Sequence, residues 1–430
     1  MSTSPSQIGT EISGPLGPTA SGDRIDSVDT LRGVALLGIF VMNIPTFALP
    51  EAAFLHPPLA GGFSGVDYAA WLVSHLFFEF KMMAIFSMLF GAGVALMGER
   101  IGGSGRRPAR THYQRMGWLL LFGMLHAYLI WFGDILVAYA IIGMLVYPLR
   151  RLGARWLLVI GVVLLPVAMM FSGLMQLMFE YMRSEAASGN PDMVKAWADV
   201  GGMFNPTPEM LDEERQRLLG SFVSRAVDSA PNVLQIQVFM LTLWALWRVG
   251  GLMLIGMALY KWRVLSAERS VRFYAAMTGL GFGLGLPIVG TGVWMMHRNG
   301  FDPIASFGVV GMFNYVGSLG VAAGWVGLVL LICRLGLLTR VRSLLASVGR
   351  MALTNYLMQS LIAAFIFYGW GLGRFDTLAR SELLLVVLGV WALQLVFSPL
   401  WLARFRYGPM EWVWRGLTYW RLPPLRRTSA

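Results

Sequence analysis

LLLFGMLHAYLIWFGDILVAYAIIGMLVYPLRR (119–151) is apolar for almost its whole length, broken once by Gly133 and Asp134 and ended by Pro148 and two arginines. It reads as two membrane helices meeting in a tight hairpin at Trp131-Phe132-Gly133-Asp134. The second helix is short, about 16 residues against the roughly 20 that cross a bilayer core. An unbroken helix would set His126 and Asp134 about 12 Å apart at 1.5 Å per residue. They touch only if Gly133 lets the chain fold back.

The rest of the chain has the same character. Of its 430 residues 56% are hydrophobic and 13% are charged, and the mean hydropathy is +0.62. That is more apolar surface than one soluble core can hide. Further apolar stretches fall near 31–50, 70–98, 156–178, 233–260, 273–296, 304–333, 350–371 and 383–403, so the expected fold is all-α, a polytopic integral membrane bundle of about ten transmembrane helices. Lys and Arg total 34 against 23 Asp and Glu, a net charge of +11. This excess sits in short loops, where membrane orientation explains it and no nucleic-acid partner is needed.

Those loops alternate. Arg100, Arg106, Arg107, Arg110 and Arg115, then Arg150, Arg151 and Arg155, then Lys261, Arg263, Arg269 and Arg272, then Arg334, Arg340 and Arg342 mark cytoplasmic loops by the positive-inside rule. Between them, 51–67 carries Glu51 and Asp67, and 180–232 is acidic, with Glu209, Asp212, Glu213 and Glu214. An even number of spans with both termini cytoplasmic fits. Residues 1–23, rich in Ser, Gly and Pro and without an apolar signal core, read as a disordered cytoplasmic tail. Residues 24–404 form the membrane domain. Within it, 180–232 is an extracytoplasmic piece whose PTPEMLDEERQRLL run makes a helix capped by Thr207, placed to lie over the outer mouth. Residues 405–430, with Trp412, Trp414, Trp420 and Arg415, suit either a helix in the headgroup layer or a packed tail.

Polar residues inside spans are the informative ones, because a central Arg or Asp costs roughly 2.5 to 3.5 kcal/mol on insertion scales. Arg248 sits midway along its stretch and reads as a buried ion pair or a ligand contact. His126, Asn43, Arg248, Asn314 and Gln359, with Asp134 at the hairpin, point to a wet cavity open to the outside; interhelical hydrogen bonding is the competing reading for the amides. His75 and Glu79, four residues apart beside Lys81, read as an interfacial pair. His112 and His297 read as solvated and Cys333 as a packing thiol. With one cysteine and no HExxH, CxxC, phosphate loop or GxSxG, no metal or common hydrolase site is expected. GLGFGLG (279–285) reads as a close helix-packing face.

RIDSVDTLRGVALLGIFVMNI (24–44), FSMLFGAGVAL (86–96), LLFGMLHAYLIWFGDILVAYAIIGML (120–145), WRVGGLMLIGMALYK (247–261), GRMALTNYLMQSLI (349–362) and YGPMEWVWRGLTY (407–419) together resemble the bacterial YeiB family, whose shared region is called domain of unknown function 418. That family is similar, through the opening Asp29, Arg32 and Gly33 pattern, to transmembrane acyltransferases such as heparan-α-glucosaminide N-acetyltransferase. The resemblance implies a multi-pass protein of the bacterial inner membrane that takes an acyl group from cytosolic acyl-CoA, acetyl-CoA among them, to a small-molecule, glycan or lipid acceptor outside. It implies His126 or His56, the latter followed by Pro57-Pro58, as general base and Asp134 as its orienter. Arg32, Asn43, Arg248, Asn314, Asn355 and Gln359 become substrate contacts. A transporter or flippase, and a non-catalytic scaffold, stay open as alternatives, as does assembly into a homodimer.

Overall fold

Without water, each segment of a membrane chain must satisfy its own backbone N–H and C=O groups, which an open chain achieves only as a helix. The computed structural model describes residues 26–102 and 108–427. The expected tail at 1–23, and Arg106 and Arg107, lie outside the described residues. In order come α1 (Asp26–Ala48), α2 (Gly65–Phe77), α3 (Lys81–Gly102), α4 (Pro108–Leu129), α5 (Leu136–Val146), α6 (Ala154–Ala187), α7 (Pro191–Gly201), α8 (Pro208–Leu219) and α9 (Phe222–Met240). Then follow α10 (Leu246–Lys261), α11 (Val271–Arg298), α12 (Pro303–Phe307), α13 (Val309–Arg334), α14 (Thr339–Arg350), α15 (Ala352–Phe367), α16 (Arg380–Arg404) and α17 (Pro409–Tyr419).

Among the described residues seven helical stretches are long and apolar enough to cross a bilayer: α1, α2 with α3, α6, α9 with α10, α11, α12 with α13, and α16. The chain is a helical membrane protein. The other three apolar stretches are helical but fall short of that measure. α4 opens on the polar run Arg110 to Arg115, α5 has 11 residues and α15 has 16.

Contacts between loops sort them as their charges do. At the basic end Ser27 bonds to the Leu265 carbonyl at 2.9 Å, Lys261 to the Leu152 carbonyl at 2.7 Å, and Trp414 of α17 to the Arg115 carbonyl at 2.9 Å. α17 is thus packed against α4, the second of the two readings open for the C-terminal segment. At the acidic end Arg183 pairs with Asp302 at 2.6 Å, and Glu51 and Glu214 meet. The described chain begins at the basic end and α17 lies there too. Thr207 caps α8 as expected, accepting the Met210 N–H.

Helices approach closely where glycines face them. A Cβ on Gly256 of α10 would lie 1.9 Å from the Met88 carbonyl oxygen of α3, and one on Gly91 of α3 would lie 2.0 Å from that of Met253. Gly281 and Gly285 of the GLGFGLG run meet α13 in the same way. The opening motif has a structural role of its own. Arg32 pairs with Asp29 at 2.6 Å and reaches the Gly349 carbonyl at 3.5 Å, while Gly33 admits the Leu345 carbonyl of α14. Asp29, Arg32 and Gly33 therefore clamp α1 to α14.

Overpacking a tight contact costs about 1–3 kcal/mol. Gly256→Leu should lower the melting temperature in detergent and the monodisperse yield on gel filtration. Gly93→Ala, with nothing near its added carbon, should leave both unchanged.

Candidate functional site

The hairpin folds back and brings His126 and Asp134 together. His126 Nδ1 lies 2.8 Å from Asp134 Oδ1, with side-chain exposures of 1% and 0%. The other carboxylate oxygen accepts the Val137 N–H at 2.8 Å, as a helix-capping carboxylate does at the start of α5. Two glycines make room. A Cβ on Gly123 would stand 2.6 Å from Val137 N, and one on Gly133 would stand 2.2 Å from the Trp131 ring. Gly133 contributes space, since it is not among the residues with positive φ. A neutral imidazole with Asp134 accepting at Nδ1 has its lone pair on Nε2. Nε2 is buried and has no hydrogen-bond partner among the described residues. The Tyr356 ring stands 5.2 Å from the imidazole, and its hydroxyl accepts the Ile135 N–H at 3.4 Å.

A second polar centre lies where the second span breaks. α2 ends at Phe77, Phe80 takes a left-handed φ of 62°, and α3 starts at Lys81. A left-handed phenylalanine persists only where its surroundings impose it. The break frees carbonyls at the C-terminus of α2. Lys81 Nζ donates to the His75 carbonyl at 2.5 Å and Trp325 to that of Phe77 at 3.1 Å, so a cation sits at the negative end of the helix dipole. Glu79 is held from both sides, by His75 Nδ1 at 2.9 Å and by Asn314 Nδ2 at 3.0 Å; Lys81 in turn donates to Asn314 Oδ1 at 2.5 Å. The pair expected at the interface forms, but His75 is buried in the bundle beside Lys81, at 4% and 0% exposed, and Glu79 is half-buried.

Arg248 belongs to this centre. One turn after a π turn at Leu241–Ala245 it is fully buried, donating to the Tyr315 carbonyl at 3.1 Å and Ser318 Oγ at 2.6 Å, with its guanidinium 4.0 Å from the Tyr315 ring centre. Among the described residues no carboxylate pairs with it, which removes the ion-pair reading.

The remaining candidates separate. Asn355 Nδ2 bonds to Val348 O at 3.1 Å and Ser398 Oγ at 3.0 Å, while Gln359 bonds to Gln394 Oε1 at 2.9 Å, so these amides join α15 to α16 and α1. That is interhelical glue. Arg32 is committed to its clamp. Asn43 is half-buried, its carbonyl accepting from Thr46 at 2.7 Å. His56 precedes the 3₁₀ turn Pro57–Leu59 at the acidic end and has a buried, unpartnered Nδ1. Sequence reading placed His112 in solvent, yet it is buried and stacked on Tyr147 at 4.1 Å, its Nε2 3.0 Å from the Gly143 carbonyl. The single outward cavity expected around His126, Asp134 and Arg248 is thus two centres, with no hydrogen bond or ring contact between them among the described residues.

Over the acidic end lies the α8–α9 segment. Arg225 of α9 reaches the Leu129 carbonyl at the end of α4 and covers the Tyr368 ring. Glu214 of α8 accepts the Glu51 N–H at 3.0 Å, with Arg217 3.7 Å from the Glu51 carboxylate. Burial, and then the Glu51 carboxylate, push Glu214 up to about 7.

Three relatives share this architecture's length. The chain is 32% identical to the uncharacterized protein YeiB of Escherichia coli (strain K12), over 92% of this chain and 96% of that one. The chain belongs to the YeiB family. It is also 30% identical to the uncharacterized protein YxaH of Bacillus subtilis (strain 168), over 96% and 99% of the two chains. An uncharacterized 39.9 kDa protein from the amylase 3′ region of Bacillus acidopullulyticus is 26% identical, over 95% and 98%. The family model described as Protein of unknown function (DUF418) matches residues 259–421, which contain Asn314, Tyr356 and Arg380 but neither His126 nor Asp134. No solved structure matches.

Because docked Glu214 holds its proton up to about 7 whereas a free glutamate loses it near 4.3, docking of α8 is most favourable at low pH. It weakens as pH rises between those values. Hydrogen exchange corrected for intrinsic rates should show residues 208–219 more protected at pH 5 than at pH 8. Glu214→Gln should flatten that difference; an undiminished difference in the variant would assign it to another group.

Proposed function

We propose that this chain is an acyltransferase embedded in the bacterial inner membrane, its basic end in the cytoplasm, moving an acyl group from cytosolic acyl-CoA to a hydroxyl or amine acceptor from outside. The observation that carries the reading is the buried His126–Asp134 pair with an unpartnered Nε2. A base held by a carboxylate at one ring nitrogen, with a lone pair on the other, has the geometry that general-base activation of a nucleophile needs.

In the proposed step Nε2 takes the acceptor proton as the acceptor oxygen or nitrogen bonds to the thioester carbon. The tetrahedral intermediate collapses with cleavage of the C–S bond, and the imidazolium returns its proton to the CoA thiolate. Tyr356, beside the ring, is better placed to donate to the oxyanion than Arg248, which sits in the other centre. Arg110, exposed at the head of α4, supplies charge for the CoA phosphates at the basic end, where Arg32 is already held by Asp29.

A second reading, transport of a small molecule, is favoured by the broken second span, since interrupted helices with charges at the break are how membrane carriers build binding sites. Purified protein should bind acyl-CoA, and His126→Ala should lower transfer by at least about 10²-fold, the usual share of a general base. Unimpaired transfer in both His126→Ala and His56→Ala would sink the mechanism. Uptake into proteoliposomes with no acyl donor, lost in Arg248→Ala, would establish transport instead.

A further inference from the structure

A cavity of about 50 Å³ lies between the acidic end and the break in the second span. Its polar wall is Arg380, Glu79 and Ser74, and its apolar wall includes Trp71 and Pro45. Arg380, 7% exposed, opens α16. It donates through Nη2 to the carbonyls of Pro57 at 2.9 Å and Ala60 at 3.3 Å, and its Nε is buried with no partner. The guanidinium thus stands at a cavity wall with backbone carbonyls and no carboxylate as hydrogen-bond partner among the described residues.

The cations around this cavity are not matched by bonded carboxylates. Arg248 and Arg380 are buried, Lys81 adds a charge when it is protonated, and Glu79 shares the cavity wall with Arg380. Asp67, half-buried and bonded to Ser381, offsets part of Arg380. Neither guanidinium has a carboxylate as hydrogen-bond partner among the described residues. In a low-dielectric interior such cations are costly, and a bound anion is the direct way to offset them. Glu79 acts on the guanidinium through its charge but makes no hydrogen bond to it among the described residues; its oxygens accept from His75 and Asn314.

We infer that this cavity is a binding site for a carboxylate group, held by Arg380 and Ser74 against Trp71, with Lys81 and Arg248 supplying the surrounding positive potential. Charge and shape select the chemistry. Glu79 stands in the same wall as Arg380, so a singly charged carboxylate meets less repulsion there than a phosphate dianion. The planar fork of an arginine matches a carboxylate in geometry as well as in charge. The site is distinct from the His126–Asp134 centre, and the inference holds whether the chain transfers or carries its ligand, because binding is read with no acyl donor and no gradient.

The test titrates full-length protein in lipid nanodiscs with acetate, against chloride and phosphate at matched ionic strength, by calorimetry and melting temperature. Saturable acetate binding that raises the melting temperature, unmatched by chloride or phosphate, is the expected result. Arg380→Gln should weaken acetate by at least about tenfold and Glu79→Gln, which removes the opposing charge, should tighten it by about tenfold, each worth about 1.4 kcal/mol. Effects of opposite sign do not come from loss of folding. Should Arg380→Gln fail to fold, Glu79→Gln decides alone. His126→Ala should bind acetate as the parent does. Hexanoate and a sugar acid separate the two sources of the group: tighter binding than acetate marks the head of a larger molecule, and weaker binding marks a small free acid. A non-saturable response, one shared with chloride, an Arg380→Gln variant that binds as the parent does, or a Glu79→Gln variant that binds no tighter overturns the site.

Discussion

Lys81 bonded to the His75 carbonyl is the contact on which the interior arrangement turns. Interrupting a helix in an apolar medium exposes carbonyls that water cannot reach, each costing several kcal/mol if left alone. The ammonium of Lys81 and the indole of Trp325 answer the carbonyls freed at the end of α2. Once a lysine is committed there, Glu79 and Asn314 are needed to hold it, and Asn314 brings α13 into the same cluster. The break thereby becomes a junction of α2, α3 and α13, and α10 joins it by seating Arg248 on Tyr315 and Ser318.

Backbone irregularity and charge coincide at that junction. The second span is broken at Phe80, a π turn precedes Arg248, and Gly308 separates α12 from α13 two turns before Asn314. Regular helices pack without such departures, and π turns and left-handed residues concentrate where a site must be shaped. The His126–Asp134 centre is built differently. Its helices are regular, and Gly123 inside α4 together with Gly133 in the turn supplies the approach. One centre holds a buried imidazole–carboxylate pair beside aromatic rings, the other a cluster of buried cations beside a small cavity.

Much of the polar inventory proved to be cement. Asn355, Gln359, Gln394 and Ser398 satisfy one another between α15 and α16, and the Asp29–Arg32 pair with Gly33 fastens α1 to α14. The sequence did carry a signal for the residues that were misjudged. Glu79 and Lys81 stand inside an apolar stretch that runs to residue 98, which is a poor place for an interfacial pair. Arg380 drew no notice because it begins a span, where arginines are ordinarily solvated.

Sequence by itself determined that the chain is a helical membrane protein, where its apolar stretches lie, how its loops divide by charge, and that His126 and Asp134 could meet only by a fold-back at Gly133. Each of these follows from composition or from residues within one hairpin, where local chain geometry decides. Only the tertiary structure decided which polar residues share a centre. Asn314 meets Glu79 across 235 positions, and such partners depend on how each helix is rotated about its axis. In a soluble helix the polar stripe reveals that rotation. In a membrane bundle the faces toward lipid and toward protein are both apolar, so the rotation leaves almost no trace in the pattern and is settled by packing and by where buried charges find partners.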